Sequence, residues 1–185
     1  MELYLIRHPK PDIAAGICYG QSDIGLLDDP QEVAARLRPL LPSEFQLHAS
    51  PLQRARLLAE QLGTPQLDER LKEIHFGAWE GQRFHDLGAA INAWQADPLR
   101  FRAPEGESVE DMARRVDTWR ESVLTPALQQ DTPQVVVAHG GPLRALFGKL
   151  MQIPPQHWLG LDFGCGEVTR LDLQPWGIHL KYFNR

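Results

Sequence analysis

The sequence predicts an α/β domain whose sheet is largely parallel with an antiparallel portion. Three observations carry that expectation. Two short apolar runs, Leu3 to Ile6 and Gln134 to Ala138, are rich in branched or aromatic residues and stop abruptly at polar ones, as fully buried parallel strands do. Helical periodicities follow the cap-then-proline pairs Asp29-Pro30 and Ser50-Pro51. Two segments near the end of the chain, 167–173 and 178–183, alternate with period two around Pro175 and Gly177, which reads as a hairpin.

Taken in order, the run at Leu3 to Ile6 ends in Arg7-His8-Pro9, so polar groups emerge at the C-terminal end of a buried strand. Residues 9–29 hold Pro9, Pro11, Gly16, Gly20 and Gly25 with little periodicity and read as a long functional loop. Pro30 opens a helix with Val33, Leu37 and Leu40 inward, limited by Pro39 and Pro42. Phe45 to Ala49 is a second strand. Ser50-Pro51 then starts a helix carrying Leu52, Ala55, Leu58, Ala59 and Leu62, with Arg54 in its first turn. Ser108 and Asp111 form a capping box in which Asp stands where Glu or Gln is usual. Val109, Met112, Val116, Trp119 and Val123 continue at helical spacing until Pro126 kinks or ends the helix. Gln134 to Ala138 is followed by His139-Gly140-Gly141-Pro142 and a helix bearing Leu143, Leu146, Phe147 and Leu150.

The length of 185 residues, against roughly 150 per domain, implies one domain over 1–185. Nineteen basic against twenty-four acidic side chains leave a net charge of -5, so neither nucleic acid nor an anionic membrane is an expected partner. An anion site must then be a local basic cluster. Cys18 and Cys165 match no zinc or disulfide-framework spacing and read as free thiols of a reducing compartment, with one distant disulfide as the alternative. With no signal-peptide pattern before Arg7 and no apolar stretch of membrane-spanning length, the expected location is the cytoplasm.

The residues that carry chemistry lie at strand ends. His8 and His139 each follow a predicted buried strand, where α/β sheets place their ligand crevices. Arg7 adjoins His8, Arg54 opens a helix, and Gly140-Gly141 begin another. Helix N-termini and guanidinium groups together make a phosphate pocket. Each piece alone has a plain structural account, and their combination departs from it. By spacing, either Glu73 or Glu80 serves as an acid. Glu73 with His75 also suits a metal, but no further ligand-rich cluster accompanies them.

The combination resembles the histidine phosphatase superfamily, which includes phosphoglycerate mutases and small phosphomonoesterases. Leu5-Ile6-Arg7-His8-Pro9 resembles its Arg-His signature, and Ala49-Ser50-Pro51-Leu52-Gln53-Arg54-Ala55 its second arginine motif. Residues 71–81 resemble the acid-bearing segment, and Pro104 to Ser108 a further family segment. Val137 to Leu146 resembles the second histidine motif. The resemblance implies a three-layer α/β/α sandwich with a mostly parallel mixed sheet. It also implies a phosphohistidine on His8, with Arg7, Arg54, His139 and Gly140 around the phosphoryl oxygens. Glu73 takes the proton-donor position, and no metal or cofactor is required. Glu107-Ser108 is read as the helix start that holds the lid region, with Ser108 as its cap.

The sequence departs from the family pattern where Pro9 replaces the usual glycine, removing a backbone donor. Ala14 lies near the position of a phosphate-binding asparagine in mutases; Tyr19, Gln21 and Ser22 are candidate substrate contacts in the same loop. The chain lacks the long insertion of the mutases, so an open phosphohistidine meets water and hydrolysis is expected. Its loop at 16–23 and segment 76–81 look most like bacterial α-ribazole phosphatases, which remove the 5′-phosphate of α-ribazole phosphate or of the corresponding cobalamin phosphate. The expected partner is therefore a small phosphomonoester. Phe76, Trp79, Phe84, Trp94 and Phe101 offer aromatic surface for a flat base, although such residues are more often core. Alternatives are a broad-specificity or fructose 2,6-bisphosphatase-like enzyme, a mutase, or a non-catalytic phosphate-binding module.

Overall fold

The computed structural model describes residues 1–185. The strands are β1 (Glu2–Arg7), β2 (Gln46–Ala49), β3 (Gln66–Leu67), β4 (Gln134–Ala138), β5 (Val168–Gln174) and β6 (Gly177–Tyr182). The helices are α1 (Pro30–Leu37), α2 (Gln53–Leu62), α3 (Ala89–Ala96), α4 (Val109–Trp119), α5 (Thr125–Ala127) and α6 (Gly140–Leu150). The sheet order is β3-β2-β4-β1-β5-β6. β1, β2, β3 and β4 run parallel, while β5 and β6 form the antiparallel end.

Period-two alternation explains the three layers. In β1, Leu3 and Leu5 join a core cluster with Val136, Ala138, α4 and α6 on one face. Tyr4 and Ile6 join Val135, Val137, α1 and α2 on the other. Successive side chains of a strand point to opposite faces, so both faces must be covered by helices. The unbroken apolar runs Leu3–Ile6 and Val135–Ala138 of the two central strands therefore produce a buried sheet, and all five residues of β4, Gln134 included, are buried.

Local chemistry sets the helix boundaries. Asp29 caps α1 by accepting from the Gln31 amide at 2.8 Å, and the Ser108–Asp111 capping box forms as expected. The helix expected after Ser50-Pro51 begins later, at Gln53, with Leu52 at the N-cap. The Ser50 hydroxyl meets His139 Nε2 at 2.7 Å and accepts the amide of Leu52 at 3.3 Å, so it caps no amide within α2 itself. After Trp119 the backbone widens to a π-turn over Arg120–Leu124, where the Thr125 amide reaches the Arg120 carbonyl. That widening precedes Pro126, whose ring would crowd the Ser122 carbonyl in a regular helix. The two-residue strand β3 and helix α3 carry too few periodic apolar positions to have been expected.

Sheet register assembles the crevice. Arg7 pairs with Ala138 and Ala49 with Val137. The residues that follow these strands, His8, Ser50 and His139, consequently leave three adjacent parallel strands side by side. The His8 amide donates to the Ala138 carbonyl, and the Ser50 amide to that of Val137, both at 3.0 Å.

Candidate active site

His8 and His139 face one another with ring centroids 5.1 Å apart and planes tilted by 55°. Both are buried. His8 Nδ1 lies 2.6 Å from the Pro9 carbonyl oxygen. A carbonyl only accepts, so Nδ1 carries the proton and Nε2 presents a lone pair. Pro9 supplies this contact through its carbonyl, which proline shares with glycine. Burial, reinforced by Arg54 and Arg7, lowers the His8 pKa to about 3 and keeps the ring neutral.

His139 has both ring nitrogens engaged: Arg54 Nε points at Nδ1 at 3.1 Å, and Nε2 meets Ser50 Oγ at 2.7 Å. Because Arg54 can only donate, Nδ1 accepts and Nε2–H donates to Ser50. Burial, then His8, Arg54 and Arg7, pushes the His139 pKa well below its ordinary value. Arg54 is fully buried and donates Nη1 to the Ser22 carbonyl at 2.8 Å and Nη2 to the Gly20 carbonyl. The Tyr19 ring lies under its guanidinium, 5.0 Å from the centroid. Arg7 donates Nη1 to the Phe163 carbonyl at 2.6 Å, while its buried Nε has no acceptor.

Glu73 reaches this crevice from the segment preceding a 3-10 turn at Gly77–Trp79. Its carboxylate accepts the Ile74 amide at 2.9 Å and the Gly141 amide at 3.1 and 3.2 Å, at the start of α6. A side chain on Gly141 would overlap the Glu73 carboxylate and approach Met112 Sδ to 2.8 Å, so this approach requires glycine. Gly140 is the first residue of α6, where amides lack intrahelical acceptors. Gly141, rather than Gly140, is the residue joined to Glu73.

Glu80 has a different task. Its oxygens accept the Gln21 amide at 2.9 Å, the Ser22 amide at 2.6 Å, the Ser22 hydroxyl and the Phe76 amide at 3.0 Å. The Gln21 side chain donates to the Glu73 carbonyl at 2.9 Å. The side chains of Gln21 and Ser22 thus join scaffold to loop, whereas Tyr19 lines the cavity. His75 lies 3.9 Å from Glu80, and no group of three or more His, Cys, Asp or Glu side chains is gathered to hold a metal. His48 is buried, bonded to Gln134 at 2.9 Å, and edge-on to Trp119.

A cavity of about 190 Å³ opens beside Glu73 and Gly141, walled by Ile17, Phe76, Phe84, Trp94, Met112 and Trp158. Trp79 and Phe101 instead stack on each other, with centroids 5.0 Å apart, over a small core with Cys18 and Ala103. A larger groove of about 370 Å³ lies between α4 and α6. Its Arg120 and Lys149 pair with Asp117, its Arg100 with Glu110 and its Arg114 with Asp111, so each basic side chain of the groove has a carboxylate partner.

Two neutral histidines between two arginines, with a carboxylate opposite, make an arrangement whose charge and donors suit a phosphoryl group. The family comparison agrees over nearly the whole chain: the chain belongs to the histidine phosphatase superfamily (branch 1), whose model matches residues 3–185. A glucosyl-3-phosphoglycerate phosphatase of Mycolicibacterium vanbaalenii is 33% identical over 189 residues, covering 92% of this chain and 83% of the relative. A candidate alpha-ribazole-5′-P phosphatase from Escherichia coli K-12 superposes with a TM-score of 0.90 at 25% identity, over 100% of this chain and 96% of the other. The Shigella flexneri alpha-ribazole phosphatase shares the fold, with a TM-score of 0.88 at 24% identity over 100% and 96% of the two chains. The protein is a phosphatase of this superfamily. No helix is long and apolar enough to cross a membrane.

Proposed function

We propose that the protein hydrolyses a small phosphomonoester through a phosphohistidine on His8. The observation that carries this reading is the His8 Nδ1–H bond to the Pro9 carbonyl, which fixes a neutral ring with Nε2 free to attack. Nε2 forms the N–P bond as the ester P–O bond breaks, and Glu73 delivers a proton to the departing alkoxide. Water then attacks phosphorus, giving its proton to Glu73 and returning His8. Arg7, whose buried Nε lacks an acceptor, and Arg54 neutralise the phosphoryl oxygens. His139, anchored by Ser50 through Nε2, accepts Arg54 Nε at Nδ1 and so holds that guanidinium beside the phosphoryl group. The Gly140 amide adds a donor from the helix start.

The leaving group we propose is α-ribazole, as its 5′-phosphate or the corresponding cobalamin phosphate. Its support is the structural likeness to alpha-ribazole phosphatases and the largely apolar wall beside Glu73, which suits a flat heterocycle. Two cysteines outside any disulfide fit a cytoplasmic location. The test compares kcat/KM for α-ribazole 5′-phosphate with 3-phosphoglycerate, fructose 2,6-bisphosphate and an aryl phosphate, alongside acid-quench trapping of the phosphoenzyme. A strong preference for α-ribazole 5′-phosphate is expected; equal, slow turnover of all four removes that leaving group. His8→Ala should abolish both turnover and trapped phosphate. Glu73→Gln should slow alkyl phosphates about 100-fold or more while sparing activated aryl esters.

A further inference from the structure

We infer that Arg144 is a specificity-determining residue that binds oxygen atoms on the leaving group, within a few bonds of the scissile ester. The inference rests on the phosphomonoesterase reading of the site, not on the identity of the leaving group. Arg144 lies on α6, half-buried, and lines the same cavity as Glu73, Tyr19 and Gly141. One hydrogen bond holds it: Nε donates to the Leu161 carbonyl at 2.6 Å, which locks the side chain while leaving both Nη groups without an acceptor. No carboxylate pairs with it. Glu73 and Asp162 act on it only through their fields, and burial and Arg7 lower its pKa.

Its position relative to phosphate follows from Gly140. A methyl group built on that residue would lie 3.4 Å from Arg144 Nη1 and 3.6 Å from Arg7 Cζ. The two guanidinium groups therefore flank one point, Arg7 on the phosphoryl side and Arg144 on the cavity side. The named aromatic and aliphatic walls of the cavity supply no hydrogen-bond acceptor for the Arg144 fork. A partly desolvated cation with both Nη groups unused beside largely apolar walls is costly unless a ligand meets it. A planar guanidinium fork is matched by two oxygens side by side. Either a carboxylate on the carbon next to the ester carbon or the oxygens of a ribose ring provides that chemistry.

The experiment measures kcat/KM of wild type, Arg144→Gln and Arg144→Lys on phenyl phosphate, 3-phosphoglycerate and ribose 5-phosphate. Phenyl phosphate has no leaving-group oxygen beyond the ester and reports whether the phosphoryl site is intact. Loss of charge-assisted hydrogen bonds predicts a fall of about 10- to 100-fold on an oxygen-bearing substrate, with less than about a threefold change on phenyl phosphate. A larger loss on 3-phosphoglycerate identifies a carboxylate as the partner, and on ribose 5-phosphate a sugar. Equal loss on all three substrates overturns the inference, because Arg144 would then serve the phosphoryl group or the fold. No loss on any overturns it equally. Failure of the underlying reading looks different: wild type would then form no phosphoenzyme with any of the three.

Discussion

Glu80→Ala should unfold the protein at a lower temperature and weaken its activity toward every substrate alike. The carboxylate accepts three backbone amides and one hydroxyl, tying residues 21–22 to residue 76. Its side chain is only 11% exposed, so water replaces few of these contacts. Hydrogen bonds to a charged group are worth about 1.5–3 kcal/mol each, and they do not sum fully. A net loss of about 3–5 kcal/mol follows. For a chain of this size one kcal/mol shifts Tm by about 2–4 °C, which predicts a fall near 10 °C by calorimetry. The Gly20 and Ser22 carbonyls that Glu80 steadies are also those that hold Arg54. The kcat/KM loss should therefore be as large on an activated aryl phosphate as on an alkyl phosphate, in contrast to Glu73→Gln. A Tm within about 2 °C of wild type, or a loss confined to poor leaving groups, would refute the scaffold role.

Stability should also depend on acid. Residue 8 has a pKa of about 3 when folded against 6.5 as an ordinary histidine, so below pH 6.5 the unfolded chain binds a proton that the native protein does not. The stabilisation is full above about pH 6.5 and declines toward pH 3; urea midpoints should fall from pH 7 to 4.5, with a shallower slope in His8→Asn. Ser50→Ala removes the acceptor of His139 Nε2 and should lower kcat/KM about 10-fold even on aryl phosphates, whereas unchanged kinetics would show that His139 needs no such anchor. In Gly148→Ala the new methyl would overlap the Trp158 indole, an overpacking worth about 1–3 kcal/mol that thermal unfolding should detect as a Tm several degrees lower.

The sheet was legible because both faces of β1 and β4 are buried, and unbroken apolar runs have few other homes. The pairing of His8 with His139 followed from their positions after such strands, and the register brought them together as expected. Ser50 was read as a cap because its chain neighbours carry a helix-start pattern; its partner His139 is remote in sequence and becomes visible only through strand pairing. Glu73 and Glu80 were indistinguishable by spacing because their difference lies in which amides surround them. Gln21 and Ser22 sit in the expected loop, but local sequence carries no information on which way their side chains turn. The π-turn before Pro126 shows a similar limit: the proline announced a disturbance without saying which hydrogen bonds would absorb it.

The stacked rings of Trp79 and Phe101 have a consequence for which part of the chain can be exchanged. Cys18, Trp79 and Ala103 form a small core, with Leu87, Ala90, Ile91 and Trp94 against it, joined through Phe76 to the larger core beneath the sheet. Substitutions at 84–101 can therefore reshape the roof of the cavity without disturbing the strand ends that carry the histidines. A graft of residues 84–101 from a relative would then exchange the Phe84 and Trp94 walls of the cavity while leaving the strand ends beneath them in place.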